Sequence, residues 1–253
     1  MNRRYIEDLR LLKSTFDNGN EANIIAQAIA DNSPKTSLRI LDVGIGEGRA
    51  VFQVVDKLNT LGFKAELTGV DLHISPELRA LAPVNSTLVE QDFIAYPAHE
   101  QFDAVIATQS LYYFGERSAT LGKLLEHTCP TGTLIVTVWS SRCILHNLHM
   151  HLSDTPDAKC ISSEDVVDEL RLLNTAAHID HVRSAGTVDL ERWVANDAIC
   201  MAAFRILSRA NPHGSFDDAK YRAFSLYLKA LPGQMKRENG TVIIRRSSIG
   251  SGE

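Results

Sequence analysis

The chain has 253 residues, 44% of them hydrophobic and 23% charged, with a net charge of −5. That is enough for one large α/β domain with a real core, or two small domains, in the composition range of an ordinary globular protein. The 26 Lys and Arg residues are scattered singly or in pairs, without the basic stripe that neutralises phosphates, which argues against nucleic acid as a partner. No apolar run approaches the roughly 20 residues that span a bilayer, and the N-terminus, Met-Asn-Arg-Arg-Tyr-Ile-Glu-Asp, lacks the apolar centre of a signal peptide. Cys129, Cys143, Cys160 and Cys200 lie far apart with no C-x-x-C pair. They read as reduced thiols of a cytoplasmic protein rather than as a disulfide framework or zinc site. The chain carries no signal of oligomeric state.

Helical spacing runs from Tyr5 to about Ala30, with Tyr5, Leu9, Leu12 and Phe16 on one face and a break at Asp17-Asn18-Gly19-Asn20. After Pro34 the pattern turns to alternating strands and helices. Leu38 to Val43 reads as a strand, and Val51, Val54, Val55 and Leu58 form the inner stripe of the next helix. Leu67–Asp71, Thr87–Val89, Phe102–Ala107 and Thr133–Val138 follow as short, nearly continuous apolar strands, as a sheet covered on both faces requires. Further on, Ser162 caps a helix with Asp165 at its third position, and a strand lies near His178–Val182. One extra helix is predicted from Leu190 to about Ser208, and another starts at Ser215. The last strand is predicted from Thr241 to Arg245, ahead of a mobile tail, 247–253.

The sharpest local signal is Asp42-Val43-Gly44-Ile45-Gly46-Glu47-Gly48, where a strand ends and a helix begins. Glycines there let backbone pass close beneath a ligand, and the helix start aims free N–H groups at it. Arg49 stands where a dinucleotide fingerprint wants a small residue, and the G-K-[ST] ending of a P-loop is absent. Asp71 ends the next strand, 27 residues after Gly44, where a carboxylate accepts a pair of ribose hydroxyls. Leu72 follows it. Asp92 and Phe93 end the third strand.

The loop resembles the first motif of class I methyltransferases, D-x-G-x-G-x-G, without a departure. The resemblance implies S-adenosylmethionine (SAM) as cofactor, bound by Asp42, Gly44, Gly46, Gly48, Asp71, Leu72, Asp92, Phe93 and Gln109. Asp92 would meet the adenine amine and Phe93 its ring. It also implies a Rossmann-like α/β fold with a seven-stranded, mostly parallel sheet, helices on both faces and a helical insertion before the last strand. The chain then reads as one domain: a helical lid over 1–34, a SAM core over 35–140, an acceptor and insertion half over 141–246, and the tail.

In such a fold the segment Thr108-Gln109-Ser110-Leu111-Tyr112-Tyr113-Phe114 faces the reactive methyl. It carries neither the D/N-P-P-Y/F of adenine methyltransferases nor the Pro-Cys of cytosine enzymes. A cationic amine or sulfonium can lie against its aromatic faces, while Gln109 offers both a donor and an acceptor. This segment, together with Ala119–Leu125, Leu134–Ser141, Ile161–Leu170 and Arg4–Arg10, is similar to the histamine N-methyltransferase type. That similarity implies a small-molecule amine acceptor, held by Gln109, Tyr112 and Tyr113, with Tyr5, Phe16, Asn18 and Trp139 as further acceptor contacts. The acceptor-binding Glu of that type has no clean counterpart; Asn18 and Glu21 stand nearest. Two other readings stay open: attack at another carbon of SAM, giving a cyclic amino acid and methylthioadenosine, or a non-catalytic SAM-binding protein. His146, His149 and His151 lack the spacing and flanking ligands of a metal site and read as a polar surface segment; no metal is expected. Trp193 reads as a core anchor.

Overall fold

The strand–helix alternation predicted after Pro34 is present. The structure, a computed structural model, describes residues 3–97, 99–152, 161–173, 177–208 and 217–246. The described elements begin with α1 (Arg3–Lys13), β1 (Phe16–Asp17), α2 (Glu21–Asn32), β2 (Ser37–Val43), α3 (Arg49–Thr60) and β3 (Lys64–Asp71). Next come α4 (Pro76–Leu81), β4 (Ser86–Glu90), β5 (Phe102–Thr108), α5 (Arg117–His127), β6 (Thr128–Trp139) and α6 (Ile144–Leu152). The chain continues through α7 (Ser163–Leu172), β7 (Ala177–Asp189), α8 (Leu190–Ala195), α9 (Asp197–Ser208), α10 (Asp218–Lys229) and β8 (Gln234–Arg246).

The strands form one sheet in the order β1-β7-β8-β6-β5-β2-β3-β4. β2 pairs in parallel with β3 and β5, β3 with β4, and β5 with β6, as helical crossovers require. The sequence predicts seven strands; the eighth is β1. It has two residues, antiparallel to β7 with Phe16 opposite Val188, too short to leave a period-2 pattern.

The chain divides into two units. The larger comprises Asn20–Val138, Ile161–Arg183 and Gly240–Glu253. Its strands bury both faces. Leu41, Val43, Val105 and Val136 pack with Leu121, Leu124, Val166 and Leu170 on one side. Leu38, Ile40 and Ile106 pack with the α3 stripe of Val51, Val54, Val55 and Leu58 on the other. Alternate residues pointing to opposite faces explain why β2 reads as an unbroken apolar run. The capping box at α7 is formed as predicted: Asp165 N–H donates to Ser162 Oγ at 3.2 Å, and Ser162 N–H donates to Asp165 Oδ2 at 2.8 Å.

The smaller unit comprises Met1–Gly19, Trp139–Cys160 and Ser184–Asn239. Its core gathers α1, α6, α8, α9 and α10 around the fully buried Trp193, whose indole N–H donates to Thr15 Oγ1 at 2.8 Å. Arg205 grips Asp8 through Nε and Nη2, at 2.7 and 2.6 Å, and so ties α9 to α1.

Several sequence expectations are corrected. The single helix over 190–208 is two, because the Asn196 carboxamide accepts the Ala198 and Ile199 N–H groups at 3.0 and 3.2 Å and competes with the helical ladder. Asp217 caps α10 through the Lys220 N–H at 2.9 Å; Ser215 lies outside the described residues, as do Cys160 and the 247–253 tail. The histidine segment is a polar surface only at His151. His146 and His149 of α6 are buried, and His149 Nδ1 pairs with the Leu207 carbonyl. β8 starts at Gln234 instead of Thr241. Of residues 1–34, α1 belongs to the smaller unit and α2 to the larger; this bears on the composition of the units and leaves the expected lid as it was. No helix among the described residues is long and apolar enough to cross a membrane.

Candidate functional site

In the larger unit the C-terminal ends of β2, β3 and β5 meet at the glycine loop. Gly44 N–H donates to the Val70 carbonyl at 2.8 Å, fastening the loop to β3. Gly44, Gly46 and Gly48 all have positive φ, +76°, +56° and +74°, a region that costs an L side chain. Two of them differ instructively. A Cβ on Gly44 would sit 2.4 Å from Ser110 Cβ, so the loop touches the segment after β5. A Cβ on Gly46 would meet nothing closer than the Gly44 carbonyl at 3.9 Å. Gly46 therefore presents bare backbone to open space. The first N–H groups of α3, which starts just beyond, have no carbonyl within the helix.

Two carboxylates flank this loop. Asp71 Oδ2 accepts the Gly46 N–H at 2.9 Å and Oδ1 accepts the His73 N–H at 3.0 Å, which leaves each oxygen a further lone pair. Asp42 lies beneath, 5% exposed. Burial, and then the charge of Asp71, push its carboxyl up to about 8, so it is largely protonated at neutral pH and can donate a hydrogen bond. Asp92 Oδ1 accepts the Ile94 N–H at 2.9 Å. Its neighbour Phe93 turns inward, edge-on to Phe114 with ring centres 6.0 Å apart. The large apolar side chains that stay exposed at these two strand ends are Leu72 and Ile94.

The segment after β5 holds the most unusual geometry. Gln109 is the non-glycine residue with positive φ, 54°, among the described residues, and such strain concentrates at functional sites. Its backbone N–H is fixed on the Thr137 carbonyl at 2.7 Å, and its Oε1 accepts the Tyr112 hydroxyl at 3.1 Å. Its Nε2 is buried without a partner, and so are the hydroxyls of Thr108 and Ser110 on either side. Buried polar atoms are nearly always paired; three orphans on consecutive residues mark a surface completed by something else. Tyr113 is 52% exposed, its ring perpendicular to that of Tyr112 with centres 6.5 Å apart.

The structure thus brings together Asp42, Gly44, Gly46, Asp71, Gln109, Tyr112 and Tyr113, with Gly48, Leu72 and Asp92 at the same strand ends. Tyr5, Phe16, Asn18 and Trp139 belong to the smaller unit. There Tyr5 and Trp139 are half-buried, the Phe16 ring lies 4.8 Å from the Arg237 guanidinium carbon, and Asn18 Oδ1 accepts from Arg237. Sequence reasoning placed Thr108 and Ser110 in the segment facing the methyl without giving either a role, and it did not foresee the burial of Arg237. The first two are short hydroxyl residues whose importance comes from a non-local approach to the glycine loop. Arg237 hides in the polar run Lys236-Arg237-Glu238-Asn239, where nothing in the spacing announces burial.

A family model described as a methyltransferase domain matches residues 18–196. No curated protein matches the chain in sequence. Among solved structures, the plantazolicin methyltransferase BpumL, in complex with a monoazolic desmethylPZN analog and SAH, is 12% identical. Its TM-score is 0.53, over 96% of this chain and 86% of that one. A SAM-dependent methyltransferase from Geobacter sulfurreducens in complex with S-adenosyl-L-homocysteine is 14% identical, with a TM-score of 0.55 over 95% and 98%. Coclaurine N-methyltransferase, bound to N-methylheliamine and SAH, is 11% identical, with a TM-score of 0.56 over 97% and 79%.

Proposed function

We propose that this chain, which belongs to the methyltransferase-domain family and is a class I enzyme dependent on S-adenosylmethionine, methylates the nitrogen of a small amine. The residues of the larger unit fit the cofactor. Asp71 would take the ribose hydroxyls through its remaining lone pairs, and Asp92 the adenine amine, with Leu72 and Ile94 beside it as apolar contacts. Gly44, Gly46 and Gly48 would let backbone approach the cofactor. Protonated Asp42 would support the loop from below, and the orphaned atoms of Thr108, Gln109 and Ser110 would gain partners. When bound, SAM supplies a methyl carbon that is already strongly electrophilic.

The protein's own task is then to hold a neutral nucleophile in line at near-attack distance and to exclude water. The observation that carries the amine reading is the make-up of the strained segment: an amide donor and two phenols, with no carboxylate from Thr108 to Phe114. Such a wall orients an amine lone pair without protonating it, and aromatic faces tolerate the cation that forms. Gln109, Tyr112 and Tyr113 are the acceptor residues in this reading. Tyr5, Phe16, Asn18 and Trp139 are further contacts and residues 1–34 a lid, both from the resemblance to amine N-methyltransferases. The fold shared with coclaurine N-methyltransferase agrees with the chemistry. Cys129, Cys143 and Cys200 are free thiols, in keeping with a reducing cytoplasm.

The test is incubation with SAM, with and without a panel of small amines, read by mass spectrometry. S-adenosylhomocysteine and an N-methylated product are expected only when an amine is added. Methylthioadenosine formed from SAM alone would overturn the reading.

A further inference from the structure

The smaller unit carries a groove that amine methylation leaves unused. It runs between α8 and the end of α10, has a volume of about 330 Å³, and is lined by Leu190, Glu191, Val194, Leu228, Lys229 and Leu231. That is the small end of the range for ligand pockets, about 300 to 1,000 Å³. Leu190 and Leu228 are each 1% exposed and Val194 is 37% exposed, so the apolar lining runs from the core out to solvent. The two charged residues of the lining are unanswered. Among the described residues neither Glu191 nor Lys229 forms an ion pair or a side-chain hydrogen bond, with the other or with any third group. Gly233 places one of them. A Cβ there would fall 2.2 Å from Glu191 Oε1 and 2.4 Å from its Cγ, so the carboxylate lies against bare backbone at the wall of the groove. The Gly233 carbonyl also accepts the Leu190 and Glu191 N–H groups at 2.8 and 3.1 Å, which ties the start of α8 to the turn after α10.

An apolar lining with one carboxylate and one ammonium selects its guest by charge. A wholly apolar guest takes water from both ions and returns nothing. A guest with only a carboxylate matches Lys229 but brings like charge to Glu191, and a guest with only an amine does the opposite. A guest carrying both charges answers both ions, and an apolar side chain on it gains from the Leu190 and Leu228 lining. We infer that this groove is a binding site for a free α-amino acid with an aliphatic side chain, its ammonium on Glu191 and its carboxylate on Lys229. All of its residues belong to the smaller unit. Binding is read without turnover, so the site stands or falls apart from amine methylation.

Calorimetry on the full chain with L-leucine, L-isoleucine and L-valine tests the site. The controls are isocaproate, which lacks the ammonium, isoamylamine, which lacks the carboxylate, glycine, which lacks the side chain, and N-acetyl-L-leucinamide, which lacks both charges. At least one of the aliphatic amino acids should bind, and every control should bind about tenfold more weakly or not at all. Glu191→Gln and Lys229→Met, both at exposed positions that spare the fold, should each weaken the tightest amino acid about tenfold. Gly233→Ala is the finer test. Gly233 does not have positive φ, so alanine is tolerated there, and the new Cβ displaces the Glu191 carboxylate without removing its charge. It should weaken binding as Glu191→Gln does. Three results would overturn the site: no binding of any of the aliphatic amino acids, controls that bind as tightly as they do, or amino-acid binding unchanged in all of the variants. Amino-acid binding that depends on Glu191 and Lys229, in a protein that methylates no amine, leaves the site standing and removes the methylation reading alone.

Discussion

Polar groups are held in opposite ways around the Asp8–Arg205 pair and around the glycine loop. In the smaller unit Asp8 and Arg205 complete one another, as do Glu238 and Lys236, and Trp193 has Thr15. In the larger unit Thr108, Gln109 and Ser110 bring buried donors and hydroxyls to the glycine loop and leave them unmatched. A matched pair serves the fold, because removing either member strands the other. An unmatched group is kept where a ligand completes it. In the smaller unit Arg237 Nε and Ser208 Oγ are unmatched as well.

Substitutions that separate the two kinds of polar group test this contrast. Asp8→Ala strands a largely buried guanidinium and should cost about 3 kcal/mol in urea denaturation, with SAM affinity per folded molecule unchanged. Gly44→Ala forces a side chain against Ser110 at positive φ and should cost roughly 2 to 3 kcal/mol of stability, while also weakening SAM. Asp42 gives a pH signature. Its folded carboxyl is raised from 3.8 to about 8, so the folded state holds the proton more tightly than the unfolded one. Stability from this group is full below pH 4, declines as pH rises, and is gone above about 8. Asp42→Asn should flatten that decline and be the more stable protein at pH 9, measured by denaturation across pH. Asp71→Ala should lower SAM affinity by about 1 to 3 kcal/mol in calorimetry. Gly46→Ala, with open space before it, should cost only about 1 kcal/mol of stability, yet it would obstruct the cofactor's approach; an unaltered SAM affinity would remove Gly46 from the site.

How much of this was legible in the sequence depended on whether the signal was local. The glycine loop, the α3 stripe and the Ser162–Asp165 capping box are written in adjacent residues, and the structure repeats them. β1 has two residues and its pairing with β7 is entirely non-local. The α6 histidines read as surface because their polarity is visible, whereas the α9 carbonyl that His149 meets is 58 residues away. The sequence starts the last strand at Thr241, yet β8 begins at Gln234 and Arg237, Glu238 and Asn239 are buried there, with Ser140, 98 residues away, donating to Glu238. In the site, Asp71 could be placed by strand end and spacing. The strain at Gln109 and the approach of Ser110 to Gly44 have no local pattern.

Hydrogen exchange with and without S-adenosylhomocysteine tests the contrast most directly. Bound ligand should slow exchange at residues 44–51 and 108–113 and leave the α1 and α9 amides around Asp8 and Arg205 unchanged. Protection confined to α1 and α9, with none at the glycine loop or after β5, would contradict the account.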